Sequence, residues 1–117
     1  ALNWKIAEKH PEYYLAMGLT AEQVAKDYKI SREDQDLFSY NSHQKAIAAI
    51  QSGKFKEEIV PITTRETYLD ENGKKKTKET VVAVDEGPRA DTTIDALAKL
   101  KPAFAMGGSV TAGNSSQ

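Results

Sequence analysis

Asn72-Gly73, set between two runs rich in β-branched residues, is the strongest local constraint in this 117-residue chain. Asn-Gly favours a type I′ turn, because both of its central positions need φ > 0. The flanking runs, Ile59–Leu69 and Thr77–Val84, have the composition of strands. An antiparallel hairpin is therefore predicted. Pro61 belongs at a strand start or on an edge, since it has no N–H for a ladder. Lys74, Lys75 and Lys76 crowd the tip. A solvated turn that blunts a sheet edge is preferred for them over a phosphate contact.

Helical patterns fill the first half. Leu2–Lys9 reads as a short helix, and Pro11 suits the start of a second turn. Thr20-Ala21-Glu22-Gln23 has the form of a capping box, with Thr20 as N-cap and a helix to about Tyr28. Ser31-Arg32-Glu33-Asp34 opens a longer helix, about Arg32–Ser52, with acids in its first turn and Gly53 just past its end. Leu37, Tyr40, Gln44, Ile47 and Ile50 recur at helical spacing, widened by Phe38, Ala46 and Ala49, and predict a packing face. After the hairpin, Thr92 or Thr93 caps a helix over Ile94–Leu100 that Pro102 stops. Gly107-Gly108 is a tight turn, and Ser109–Ala112 a short terminal strand. The fold class expected is α+β: a helical first half, an antiparallel hairpin, a short helix and a terminal strand.

Several function classes fall away on totals. A net charge of −1 argues against a nucleic-acid module. The apolar runs are far too short to span a bilayer, and no signal-peptide core follows Ala1. The absence of cysteine removes disulfide scaffolds and thiolate metal sites. His10 and His43 are too far apart for a helical metal pair and read as surface histidines. With 39% apolar and 28% charged residues, the core is modest and some buried surface is expected to lie on a partner. Asn114-Ser115-Ser116 has the form of a glycosylation sequon, discounted without a secretory signal.

The C-terminal run has the chemistry of a binding surface. Arg89 sits beside Pro88, which stiffens the backbone. Lys99 and Lys101 close the short helix, and Val110–Gln117 is a small-residue segment that a ligand can approach closely. No nucleophile has a base beside it. On the residues alone Arg89 reads first as an ion-pair partner for Asp85, Glu86 or Asp91, Gly113 can be a turn glycine, and Met17 is by default a core residue.

Taken together, these segments resemble the thiolase family, which transfers acyl groups to or from coenzyme A. The matches are Met17-Gly18-Leu19-Thr20-Ala21-Glu22-Gln23-Val24-Ala25, Ile30–Asp36, Ser42-His43-Gln44-Lys45-Ala46, Gly53–Pro61, Asp85-Glu86-Gly87-Pro88-Arg89, Leu97–Phe104 and Thr111–Ser116. Asn114-Ser115-Ser116-Gln117 looks most like the degradative 3-ketoacyl-CoA thiolases of fatty-acid β-oxidation. The resemblance covers the loop domain alone, an insertion in the first of two duplicated βαβαβ halves. It implies that residues 1–117 are a fragment, as the start at Ala1 without methionine also suggests. The family's nucleophilic cysteine lies upstream. Its Gly-His-Pro histidine, Asn-Glu-Ala-Phe asparagine and second cysteine lie downstream. The chain alone is thus expected to be inactive, with no catalytic residue and no metal.

By that resemblance Arg89 contacts the nucleotide end of CoA. Ser116 lies near the pantetheine arm, Ala112 and Gly113 line its tunnel, and Met17 borders the acyl pocket. Ala16 stands where biosynthetic thiolases carry a histidine, which removes one CoA contact and fits a degradative enzyme. The implied ligands are CoA and acyl-CoA as substrates, with no permanently bound cofactor. The implied partners are the rest of the thiolase chain in a homodimer or homotetramer, with no nucleic acid. The implied setting is cytoplasmic, or peroxisomal or mitochondrial in a eukaryote. A role as an assembly module, carried by the hairpin, is the alternative.

Overall fold

The structure is a computed structural model and describes residues 2–115. Its backbone divides into two compact units, one built from residues 1–44 and 90–117, the other from Lys45–Arg89.

The first unit opens with α1, Trp4–Lys9, which starts where Asn3 caps it. The Asn3 Oδ1 accepts from the amides of Lys5 and Ile6, at 3.1 and 3.4 Å. A 3₁₀ turn, Pro11–Tyr14, follows with its proline in the first position. Helix α2 spans Met17–Asp27, so it begins earlier than the capping-box pattern predicts. Ala16 occupies the N-cap position without a side-chain bond, and Thr20 lies within the helix, its Oγ1 donating to the Ala16 carbonyl at 3.4 Å. Gln23 points forward to Asp27, at 2.8 Å, instead of back to a cap.

Helix α2 closes in a Schellman motif. The Ile30 amide donates to Ala25 O and the Lys29 amide to Lys26 O. Lys29 is the residue forced to positive φ there, at 53°. A β-carbon in that region is strained, so Lys29→Gly is expected to stabilise the protein by about 0.5–1 kcal/mol. An unchanged or lowered urea midpoint would contradict this.

Helix α3, Arg32–Gln51, starts as the sequence indicates, with Ser31 Oγ accepting from the Asp34 amide at 3.0 Å. The expected face is covered in part: Tyr40, Ala46, Ile47, Ala49 and Ile50 are half-buried, but the first turns depart from it. Leu37 is 49% and Phe38 78% exposed, while Asp36 is 2% exposed. The inward stripe near its start is polar: Arg32, Gln35, Asp36 and Ser39, at i, i+3, i+4 and i+7, all hydrogen-bond within the first unit. Helix α4, Ile94–Ala98, is capped by Thr93, whose Oγ1 accepts from the Ala96 amide at 3.1 Å. The expected terminal strand is absent. Only Pro102 and Thr111 form a bridge, with the Ala103 amide donating to Val110 O at 2.9 Å. The strand cannot continue because the Thr111 amide is taken by Asn114 Oδ1 at 2.7 Å, which coils 111–115 into a turn. Ala25, Leu97 and Val110 are the buried apolar residues of this unit among the described residues.

In the second unit, β1 (Ile62–Leu69) pairs antiparallel with β2 (Lys75–Val82), in register from Ile62 opposite Val82 to Leu69 opposite Lys75. Pro61 immediately precedes β1, as its missing donor requires. The turn is not type I′. Gly73 is at φ 72° but Asn72 is not at positive φ, and the Gly73 amide donates to Asp70 O. This is a type I turn followed by a glycine bulge. Asp70 selects it, because its Oδ1 accepts from the amides of Asn72 and Lys74, both at 2.9 Å.

The Lys74 amide, opposed by partial desolvation and helped by Lys76 and the Asn72 amide, holds the Asp70 carboxyl below the usual aspartate range. A depressed folded-state pKa stabilises the turn above the ordinary value of about 3.9, and that support is lost as pH falls through the folded pKa. The amide resonances of 70–76 are therefore expected to shift more on acidification below about pH 4 in the wild type than in Asp70→Asn. Identical titrations of the two proteins would contradict it.

Candidate functional site

A cleft of 610 Å³ opens in the first unit between the start of α2 and the 104–115 segment. Met17, Val24, Ile30, Phe104 and Val110 give it apolar walls, and Thr20, Gln35, Asn114 and Ser115 its few polar groups. Helix geometry explains the α2 side: Met17, Thr20, Ala21 and Val24 follow one another at i, i+3, i+4 and i+7. On the other wall Phe104 lies over Gly18, where any β-carbon would overlap its ring. No ionisable side chain lines the cleft among the described residues. It therefore offers no acid, base or thiol. It suits an uncharged, largely apolar chain with a few hydrogen-bonding groups.

The 109–115 segment is held by side chains from the helices. Glu22 of α2 accepts from the amides of Ser109 and Val110, at 3.0 and 2.9 Å, so its carboxylate fixes two consecutive backbone donors. Gln35 donates to Ser109 Oγ at 2.9 Å. The Asn114 amide nitrogen donates to Asp36 Oδ1 at 2.9 Å and to the Ser109 carbonyl at 3.0 Å. Ser39 donates a short hydrogen bond to the Gly113 carbonyl. Thr111 is fully buried, and its Oγ1 accepts from the Gly113 amide at 3.2 Å. A β-carbon on Gly113 would run into Leu97 and Leu100, so this position requires glycine for close approach.

Of the residues singled out from the sequence, Met17 lines the cleft and is 80% exposed. Ala112, exposed, and Gly113, half-buried, stand on the turn whose next residues, Asn114 and Ser115, line it. Arg89 is exposed and is the last residue of the second unit. Ser116 lies outside the described residues. The sequon asparagine, Asn114, is half-buried with both amide bonds engaged, which agrees with discounting it. Phe104, Glu22, Asp36 and Ser39 were not singled out. Phe104, Glu22 and Asp36 had one visible signal, their place in matching segments, and Arg32–Asp36 is an i, i+4 pair. The other partners of Glu22 and Asp36 lie 78 to 88 residues away, and no local pattern announces them. No group of three or more His, Asp or Glu is placed to hold a metal ion, and no helix is long and apolar enough to cross a membrane, among the described residues.

Residues 5–117 match the family described as thiolase, N-terminal domain. The chain is 56% identical over 115 residues to a 3-ketoacyl-CoA thiolase of Bacillus subtilis, covering 98% of this chain and 29% of that protein. It is 53% identical to the peroxisomal 3-ketoacyl-CoA thiolase B of Rattus norvegicus, covering 94% of this chain and 25% of that one. Among solved structures, the Bacillus anthracis acetyl-CoA acetyltransferase superposes with a TM-score of 0.76 at 49% identity, over 87% of this chain and 24% of that chain. The chain thus spans about a quarter of the length of the relatives it matches.

Proposed function

Because this chain belongs to the thiolase family, we propose that residues 1–117 are the CoA-binding loop domain of a 3-ketoacyl-CoA thiolase. The observation that carries this reading is the apolar cleft beneath the 111–115 turn, with Met17 and Phe104 in its walls and no ionisable group in its lining. Pantetheine is long, narrow and uncharged, with two amides. Small residues at Ala112 and Gly113 leave room for it, and hydroxyls such as Ser115 or Ser116 serve an amide. Met17 and Phe104 border the acyl end. Arg89 takes the nucleotide end, where a guanidinium suits phosphate and stacks on adenine.

The parent enzyme, in this proposal, moves an acyl group between a cysteine thiolate and CoA in the thiolytic cleavage of 3-ketoacyl-CoA. This chain holds no cysteine, so that thiolate comes from elsewhere in the polypeptide. The loop domain contributes binding energy remote from the reacting carbon and keeps water from it. Ala16, in place of the histidine of biosynthetic members, favours a degradative role in the cytoplasm or an organelle matrix.

The test is made in the complete polypeptide. Ala112→Leu fills the ligand's path and is expected to raise the KM for CoA about tenfold, and Arg89→Ala to raise it by a similar factor through loss of a charge-assisted bond. Wild-type CoA kinetics in both variants would refute the assignment.

One observation favours a second role. Every residue of both strands is exposed, including Ile62, Leu69, Val81 and Val82. Exposed apolar side chains on both faces of an otherwise polar hairpin fit an assembly surface. Deleting 63–81 then changes oligomer size while activity per subunit persists; an unchanged oligomer would exclude that role.

A further inference from the structure

Asp36 is a buried carboxylate that does not line the cleft, yet both of its oxygens are engaged, one of them by Asn114, which does line it. Oδ2 accepts from Arg32 Nε at 2.8 Å, and Oδ1 from Asn114 Nδ2 at 2.9 Å. Arg32 in turn donates through Nη2 to the carbonyls of Leu97, at 2.6 Å, and Leu100, at 3.0 Å, closing the end of α4. Leu97 and Leu100 are the side chains against which Gly113 packs. Asn114 Oδ1 holds the Thr111 amide. The contacts form a closed ring, from Asp36 through Asn114 and the turn to Gly113, across Leu97 and Leu100 to Arg32, and back to Asp36.

We propose that Asp36, acting through Asn114, is a positioning residue for CoA: it presets the backbone of the 111–115 turn so that the ligand meets an ordered surface. This rests on the reading that the turn lines the ligand's path. A carboxylate with both oxygens charge-assisted and buried has one low-energy orientation, so it fixes the Asn114 amide plane. Asn114 then fixes the Thr111 amide and the Ser109 carbonyl. Thr111 fixes the Gly113 amide. A turn set before binding spares the ligand the entropy of ordering it. The effect belongs in CoA affinity and not in the chemical step.

The test uses the complete enzyme and three variants. Asn114→Asp is isosteric and replaces the donor facing Asp36 and the Ser109 carbonyl with an acceptor. It is expected to raise the KM for CoA about tenfold, with kcat within about twofold of wild type. Adding Asp36→Asn restores a donor opposite the new carboxylate and is expected to recover part of that loss. Thr111→Val keeps the shape, removes the acceptor for the Gly113 amide, and is expected to raise the same KM about threefold. It decides the matter if Asn114→Asp does not fold. Lower melting temperatures with wild-type KM for CoA in Asn114→Asp and Thr111→Val would overturn the inference, leaving the ring a structural device only. Ala112→Leu separates the two readings: if it too leaves the KM unchanged, the turn is not on the ligand's path, and the inference falls with that reading.

Discussion

Asp36→Ala is expected to lower the unfolding free energy by about 3 kcal/mol. The carboxylate is buried at 2% exposure and serves two donors, Arg32 Nε and Asn114 Nδ2. Removing it leaves a partly buried guanidinium without its counter-charge and a half-buried amide with the Ser109 carbonyl as its remaining acceptor. The cost is mainly that of the groups left behind, since the pair itself repaid its own desolvation only through close geometry. Arg32 retains the carbonyls of Leu97 and Leu100, and its side chain keeps 22% exposure, which holds the loss to the lower end of the range for such pairs. Urea unfolding followed by circular dichroism measures it as a fall in midpoint at constant slope. A loss under about 1 kcal/mol would mean that water replaces the carboxylate cheaply, and the ring would lose its structural meaning.

Gly113→Val is expected to cost about 2 kcal/mol and to weaken CoA binding as well. A β-carbon at this position has no room, because Leu97 and Leu100 occupy its place. Leu97 is itself buried, so it cannot swing into solvent without exposing apolar surface. The turn must move instead, and its carbonyl leaves Ser39 and its amide leaves Thr111. Gly113→Ala should show a smaller effect of the same sign. A valine variant with wild-type stability and CoA kinetics would show that the turn adapts freely and that its shape is immaterial.

How much of this was legible in the sequence depends on the range of the interaction. Local chemistry indicates the hairpin, the long helix and a cap at Thr92 or Thr93, and all are present, with Thr93 as the cap. The turn type was misread because Asp70, two residues before the Asn-Gly pair, captures two amides and pulls Asn72 away from positive φ. Thr20 is not the cap, because an alanine with extended backbone starts α2 four residues earlier. The apolar stripe of α3 fails at Leu37, Phe38 and Gln44, while Tyr40, Ala46, Ile47, Ala49 and Ile50 are half-buried as it predicts. Its start packs through hydrogen bonds, and the stripe of Arg32, Gln35, Asp36 and Ser39 has helical period but not apolar character. The terminal strand failed because Asn114 competes for the Thr111 amide. For the site, Met17, Ala112 and Gly113 come from family resemblance, whereas Glu22 and Asp36 hold the 109–115 segment through partners far along the chain; the Arg32–Asp36 pair, at i, i+4, is local.

The proposal that this domain holds CoA is tested most directly by hydrogen–deuterium exchange on the complete polypeptide, with and without saturating CoA. The account predicts slower exchange at the amides of 111–115 and at Arg89, with the hairpin amides of 62–82 unchanged. Exchange at 111–115 and at Arg89 that CoA leaves untouched would contradict it.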